Sequence, residues 1–125
     1  MEKETERSMY VYDEEGIGTV KIANDVVAMI AGLATKEVEG VSDLAGNMGN
    51  ELMGMVGMKK NNKGVKVEVT GKNVIANVSV FMEYGYNIPA TSKKVQEKVK
   101  SAIENMTGLH VEDVNVSIIG VNMNN

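Results

Sequence analysis

Few residues of this sequence have a type and spacing that could do chemistry. His110 is the only histidine, and there is no cysteine. A lone imidazole could act as a general base. Just past a predicted helix it reads rather as a surface residue or an ordinary cation beside the helix C-terminus. No serine stands in the Gly-x-Ser-x-Gly setting of a nucleophile elbow. A metal could be held only by carboxylates, which suit hard cations. The acidic pairs Glu14-Glu15 and Glu112-Asp113 are isolated and flank predicted strands, where they read as solvated turn charges. The sequence therefore offers no catalytic residues, metal ligands, cofactor motif or small-molecule substrate site, and reads as a protein that is not an enzyme.

Glycines can cradle phosphates, and two groups of them bear on this. Gly16-Ile17-Gly18 lacks the third glycine of a dinucleotide fingerprint and precedes a strand instead of a helix. Gly54-Met55-Val56-Gly57 has the G-x-x-G form with which a KH domain clamps a nucleic-acid backbone, and Lys59 and Lys60 follow it. Gly54, Gly57, Lys59 and Lys60 are thus the alternative nucleic-acid loop. Its flanks are rich in Gly and Met, and it lies between a helix and a hairpin, not between two helices. Charge gives this reading no support. The net charge is -4, and the first fifteen residues carry all of the excess, with six acidic and two basic side chains. The remainder is neutral, without the basic surface that phosphate binding needs.

The same stretch, 45–64, holds five glycines and four methionines. It reads as a long loop, and a loop of that length is functional or disordered. Met48, Met53, Met55 and Met58 have two readings. They are an adaptable contact surface, or they fold back over an open edge of the core.

The elements that must position these residues follow from periodicity. Residues 1–15 read as an acidic tail, with a short strand at Met9–Tyr12. Ile17 to Ile22 reads as a strand. A helix follows, with Asn24 as N-cap and Gly40 as stop. Val27, Ile30, Ala31, Ala34 and Val38 form its core stripe. Val26, Met29 and Leu33 form a second apolar stripe, so this helix must touch the other helix or another subunit besides a sheet. A short extra element is placed at Gly40 to Leu44. Val65, Val67 and Val69, then Val74, Ala76, Val78, Val80 and Met82, alternate as the two strands of a hairpin.

The second helix is capped by Asn87, carries Pro89 in its first turn and ends at Gly108. Ile88, Ser92, Val95, Val99, Ala102, Ile103 and Met106 share one face. Lys93–Glu97 and Lys100–Glu104 are expected as pairs four apart. A last strand runs from Val111 to Val121, with residues 123–125 as a tail. The fold class is α+β, a two-layer sandwich in the order β-α-β-β-α-β, with both helices on one face of a mixed sheet. The far face carries Ile75, Phe81, Ile119 and Val121. This surplus apolar surface predicts self-association, and Phe81→Asp is expected to leave a folded monomer.

The acidic N-terminus is unlike a signal peptide. The longest small-apolar run, Val26 to Ala34, is far short of the ~20 residues of a membrane span. The chain reads as soluble, and any membrane association would go through a partner.

Tyr84-Gly85-Tyr86-Asn87-Ile88-Pro89, then Val95-Gln96 and Val99, Thr107-Gly108-Leu109, Val114-Asn115-Val116 and Gly120-Val121 follow in an order that resembles the alkaline shock protein family. Gly18-Thr19-Val20-Lys21-Ile22, Val26 to Ala34 and Glu39-Gly40-Val41 fit the same family, so the resemblance covers about residues 16 to 122. It implies a cytoplasmic protein of Gram-positive bacteria in the cell-envelope stress response. It also implies a homo-oligomer, held at the inner face of the membrane by a membrane-anchored protein partner, and no catalytic residues to carry over. Beside this scaffold reading stand the KH-like RNA binder and a regulatory subunit of a metabolic enzyme.

Overall fold

Val74, Ala76, Val78, Val80 and Met82 are all closed to solvent, and this alternation makes their strand the centre of the molecule. The computed structural model describes residues 9–13, 19–45 and 64–123, with side chains from residue 20 onward. Its elements are β1 (Met9–Asp13), β2 (Thr19–Ala23), α1 (Asn24–Lys36), β3 (Val41–Leu44), β4 (Val65–Thr70), β5 (Asn73–Glu83), α2 (Ile88–Thr107) and β6 (His110–Asn122).

β5 is paired on both edges. One edge takes β4 antiparallel, from Thr70↔Asn73 to Val65↔Val78, and then β3 antiparallel, with Leu44↔Val80 and Val41↔Met82. The other edge takes β6 in parallel along its whole length, Asn73↔His110 to Glu83↔Asn122. A parallel neighbour requires a crossover, and α2 is that crossover. β3 and β4 meet end to end at Ser79. The Ala45 N–H donates to the Ser79 carbonyl and the Ser79 N–H donates to the Gly64 carbonyl, each at 2.8 Å. Ala45 and Gly64 are thus held side by side on β5.

The fold is the expected one: α+β, with both helices on one face of a mixed sheet. α1 packs on β3, β4 and β5, while α2 lies beside it over β6. Val27, Ala31, Val95, Val99 and Ile103 close the layer between them and are fully buried. Burying such a side chain stabilises by about 1.5–3 kcal/mol.

Several local expectations are corrected. The strand that precedes α1 does not join the main sheet; it pairs antiparallel with β1, from Met9↔Ala23 to Asp13↔Thr19. The extra element after Gly40 is a true strand, β3. Asn24 is the first residue of α1, and Ala23 holds the N-cap position without a side-chain cap. The helix stops at Lys36, and Gly40, at φ +106°, turns the chain into β3.

The second helix follows its signals closely. The Asn87 side chain accepts from the Ala90 N–H at 2.8 Å, and Gly108 is left-handed at φ 79°. Its buried positions are Thr91, Val95, Val99, Ile103 and Thr107, spaced four apart. Met106 and Ile88, expected on this face, are open to solvent. Of the two expected ion pairs, only Lys100–Glu104 forms among the described residues, at 3.2 Å.

Candidate interaction site

The outer face of α1 is apolar. Val26, Met29 and Leu33 are 44%, 51% and 59% exposed. At ~100° per residue the three lie within about 60° of one another, opposite the stripe formed by Val27, Ala31 and Ala34. The second stripe seen in the sequence is thus real, and α2 does not cover it. The spacing 26, 29, 33 is that of a helix–helix seam. Asp25 and Lys36 border the stripe at its two ends, and both are exposed.

The far face of the sheet is less apolar than expected. Ile75 and Phe81 are half-buried there, among Lys66, Glu68, Asn77, Ser79, Asp113, Asn115 and Ser117. Asn115 and Asn77 join across it at 2.9 Å. The Phe81 ring lies over Gly120, its partner on β6. The register of β6 shifts between Ile118 and Gly120, which leaves Ile119 as an extra residue. Val121 then comes level with Met82, whose side chain points to the helices, so Val121 does not continue the Phe81 face. Ile119 and Val121 are exposed at the end of β6. The structure therefore does not bring Ile75, Phe81, Ile119 and Val121 onto one surface. Met48, Met53, Met55 and Met58, and with them Gly54, Gly57, Lys59 and Lys60, lie outside the described residues, as do Glu14 and Glu15.

Lys100 and His110 come together around Glu104. Its carboxylate accepts from the Val111 N–H at 2.9 Å and lies 3.2 Å from the Lys100 ammonium and 3.5 Å from His110 Nδ1. The Val111 N–H, then Lys100, hold its carboxyl below the usual carboxylate range. Lys100 and Gln96 also donate to the Val111 and Val114 carbonyls, each at 3.1 Å. These contacts tie α2 to the outer edge of β6 and line an open groove of about 250 Å³. Gln96 and Lys100, which line it, are spent on backbone carbonyls. His110 stands exposed at the start of β6. Glu112 is the extra residue of a second register shift, between Val111 and Asp113. Among the described residues no three His, Asp or Glu side chains gather as metal ligands.

Sequence reasoning missed the exposure of Tyr84 and Met123, which flank the ends of β5 and β6 at 70% and 62%. Neither has a periodic neighbour that would have marked it.

The described residues thus form a helix pair on a mixed sheet, with an exposed apolar stripe on α1. The chain belongs to the alkaline shock protein 23 family, described as having a cell envelope-related function, which it matches over residues 12–123. It is 32% identical over 110 residues to the protein YqhY of Bacillus subtilis, covering 88% of this chain and 82% of that one. YloU of the same organism is 31% identical over 110 residues, covering 86% of this chain and 92% of its own length. A stress response regulator gls24 homolog of Streptococcus pyogenes is 28% identical over 105 residues, which is 83% of this chain and 59% of that protein. Among solved structures, a MamM C-terminal domain variant aligns over 77% of this chain and 93% of its own, at 14% identity and a TM-score of 0.48. That likeness carries nothing further. No helix among the described residues is long and apolar enough to cross a membrane.

Proposed function

We propose that this chain is a non-enzymatic interaction protein of the bacterial cell-envelope stress response. It associates with itself and with a membrane-anchored protein partner that holds it at the inner face of the membrane. The observation that carries this reading is the apolar side chains standing in solvent on α1 and at the end of β6, in a member of a family with cell envelope-related function. Burying such patches drives association. Ile119 and Val121, exposed at the end of β6, are offered to the partner, together with the methionines Met48, Met53, Met55 and Met58.

The test is fractionation of the native host carrying the tagged full chain, with and without ribonuclease. Recovery in the membrane fraction, unaffected by nuclease and lost in an Ile119→Asp variant, supports the reading. Nuclease-sensitive retention on RNA, abolished by Gly57→Asp, would replace it with the KH-like alternative.

A further inference from the structure

We infer that the outer face of α1 is a two-fold interface with a second copy of this chain, the two helices packing antiparallel. This rests on the self-association reading and names its surface. The apolar stripe Val26, Met29 and Leu33 is bordered by one acidic and one basic residue on the same flank. Asp25 and Lys36 are eleven positions apart, which at ~100° per residue places them within about 20° of each other around the helix.

A two-fold axis normal to the helix, passing midway between residues 30 and 31, sets each position against the one that sums with it to 61. Asp25 then meets Lys36 of the second copy, and Lys36 meets Asp25. The same flank of each helix faces the same flank of the other, so both pairs form on one side of the seam. Met29 falls between Met29 and Leu33 of the second copy, and Leu33 between its Val26 and Met29, as knobs enter holes. A parallel pair would put this flank of the two helices on opposite sides of the seam, so neither residue would meet a partner of opposite charge. Among the described residues neither Asp25 nor Lys36 is spent on an ion pair within the chain. The neighbouring Glu37 is paired with Lys98 of α2 at 3.3 Å and stays out of the seam.

Size sets the strength. A helix of thirteen residues gives a contact about 20 Å long. That is below a standard interface, so the dimer is expected to be weak and reversible.

The experiment is sedimentation velocity of the full chain from about 10 μM to about 1 mM, with melting curves to show that every variant is folded. The wild-type mass is expected to rise from 13.5 kDa toward twice that value. Leu33→Glu, Asp25→Lys and Lys36→Asp each weaken the dimer at least tenfold, and an equimolar mixture of the two charge variants restores it. The mixture is the decisive sample, because a merely structural effect of either substitution would persist in it. A dimer indifferent to Leu33→Glu and to both charge variants overturns this surface and leaves self-association standing elsewhere. A wild-type mass of one chain throughout overturns both. A monomer that loses its membrane partner through Leu33→Glu gives the stripe to that partner and overturns the two-fold interface.

Discussion

The ring of Phe81 lies flat against the backbone of Gly120 on the neighbouring strand, with Cδ1 and Cε1 both 3.0 Å from where a Cβ would stand. Gly120 is thus there for space, and the aromatic ring supplies the cover that its own side chain lacks. Gly120→Ala is expected to destabilise by about 1 kcal/mol, because the ring must shift. Gly120→Ala combined with Phe81→Leu should cost less than the sum of the two alone. Urea titrations of the double-mutant cycle measure this, and strict additivity would contradict it. The same contact changes the meaning of Phe81→Asp. That variant strips the cover from Gly120 besides altering a surface, so its effect on assembly is read only after its stability is known.

Gly64 is packed against backbone. A Cβ there would stand 2.6 Å from the Ala45 carbonyl oxygen and 2.8 Å from the Ala45 nitrogen. Those atoms cannot swing aside as a flexible side chain would. Gly64→Ala is therefore expected to open the joint at Ser79, with a loss of about 2–4 kcal/mol. Hydrogen exchange at the Ala45 and Ser79 amides should rise while α2 stays protected. Uniform protection in the variant would contradict the joint.

Gly40 combines two constraints, a positive φ and a Tyr86 ring 2.8 Å from the Cβ site. Gly40→Ala is expected to lower stability by about 1–3 kcal/mol, seen as a drop in Tm. Replacing Tyr86 by Ser in the same chain should recover only the steric part. A Tm unchanged in Gly40→Ala would show that the turn before β3 adapts freely.

Glu104 ties the end of α2 to the first turn of β6. Its carboxyl is held low by the Val111 N–H and by Lys100, so the folded state prefers it ionised. That stability is present above the unfolded-chain value of about 4.3 and is lost as pH falls through the lower folded value. Glu104→Ala is expected to cost about 1–2 kcal/mol at neutral pH by leaving the Val111 N–H without its acceptor. The gap from wild type should narrow in acid. A gap that is constant from pH 7 to 3 would contradict this role.

The sequence was most legible where the cause is local. Asn87, Pro89 and Gly108 announce both ends of α2, and the alternation from Val74 to Met82 announces a strand buried on one face. It was least legible where pairing decides. The register shift at Ile119 turns Val121 away from the Phe81 side, and nothing in Ile118-Ile119-Gly120 states which residue the neighbouring strand will skip. β2 looks like a sheet strand and is one, but its partner is β1, a choice made by contacts outside its own residues. Asn24 has the chemistry of a cap, yet the helix begins one residue earlier than that role requires. The α1 stripe lies between these cases. Its periodicity is plain in Val26, Met29 and Leu33, while its exposure depends on where α2 packs.

We propose that this chain works by contact, with itself and with a membrane-anchored protein. The most direct measurement is in-cell cross-linking of the tagged full chain in its native host, followed by identification of the joined proteins by mass spectrometry. Untagged copies of the chain, linked through α1, and an integral-membrane protein linked near Ile119 and Val121 are the expected products. Recovery of RNA or of a soluble enzyme alone, with neither of these, would contradict the proposal.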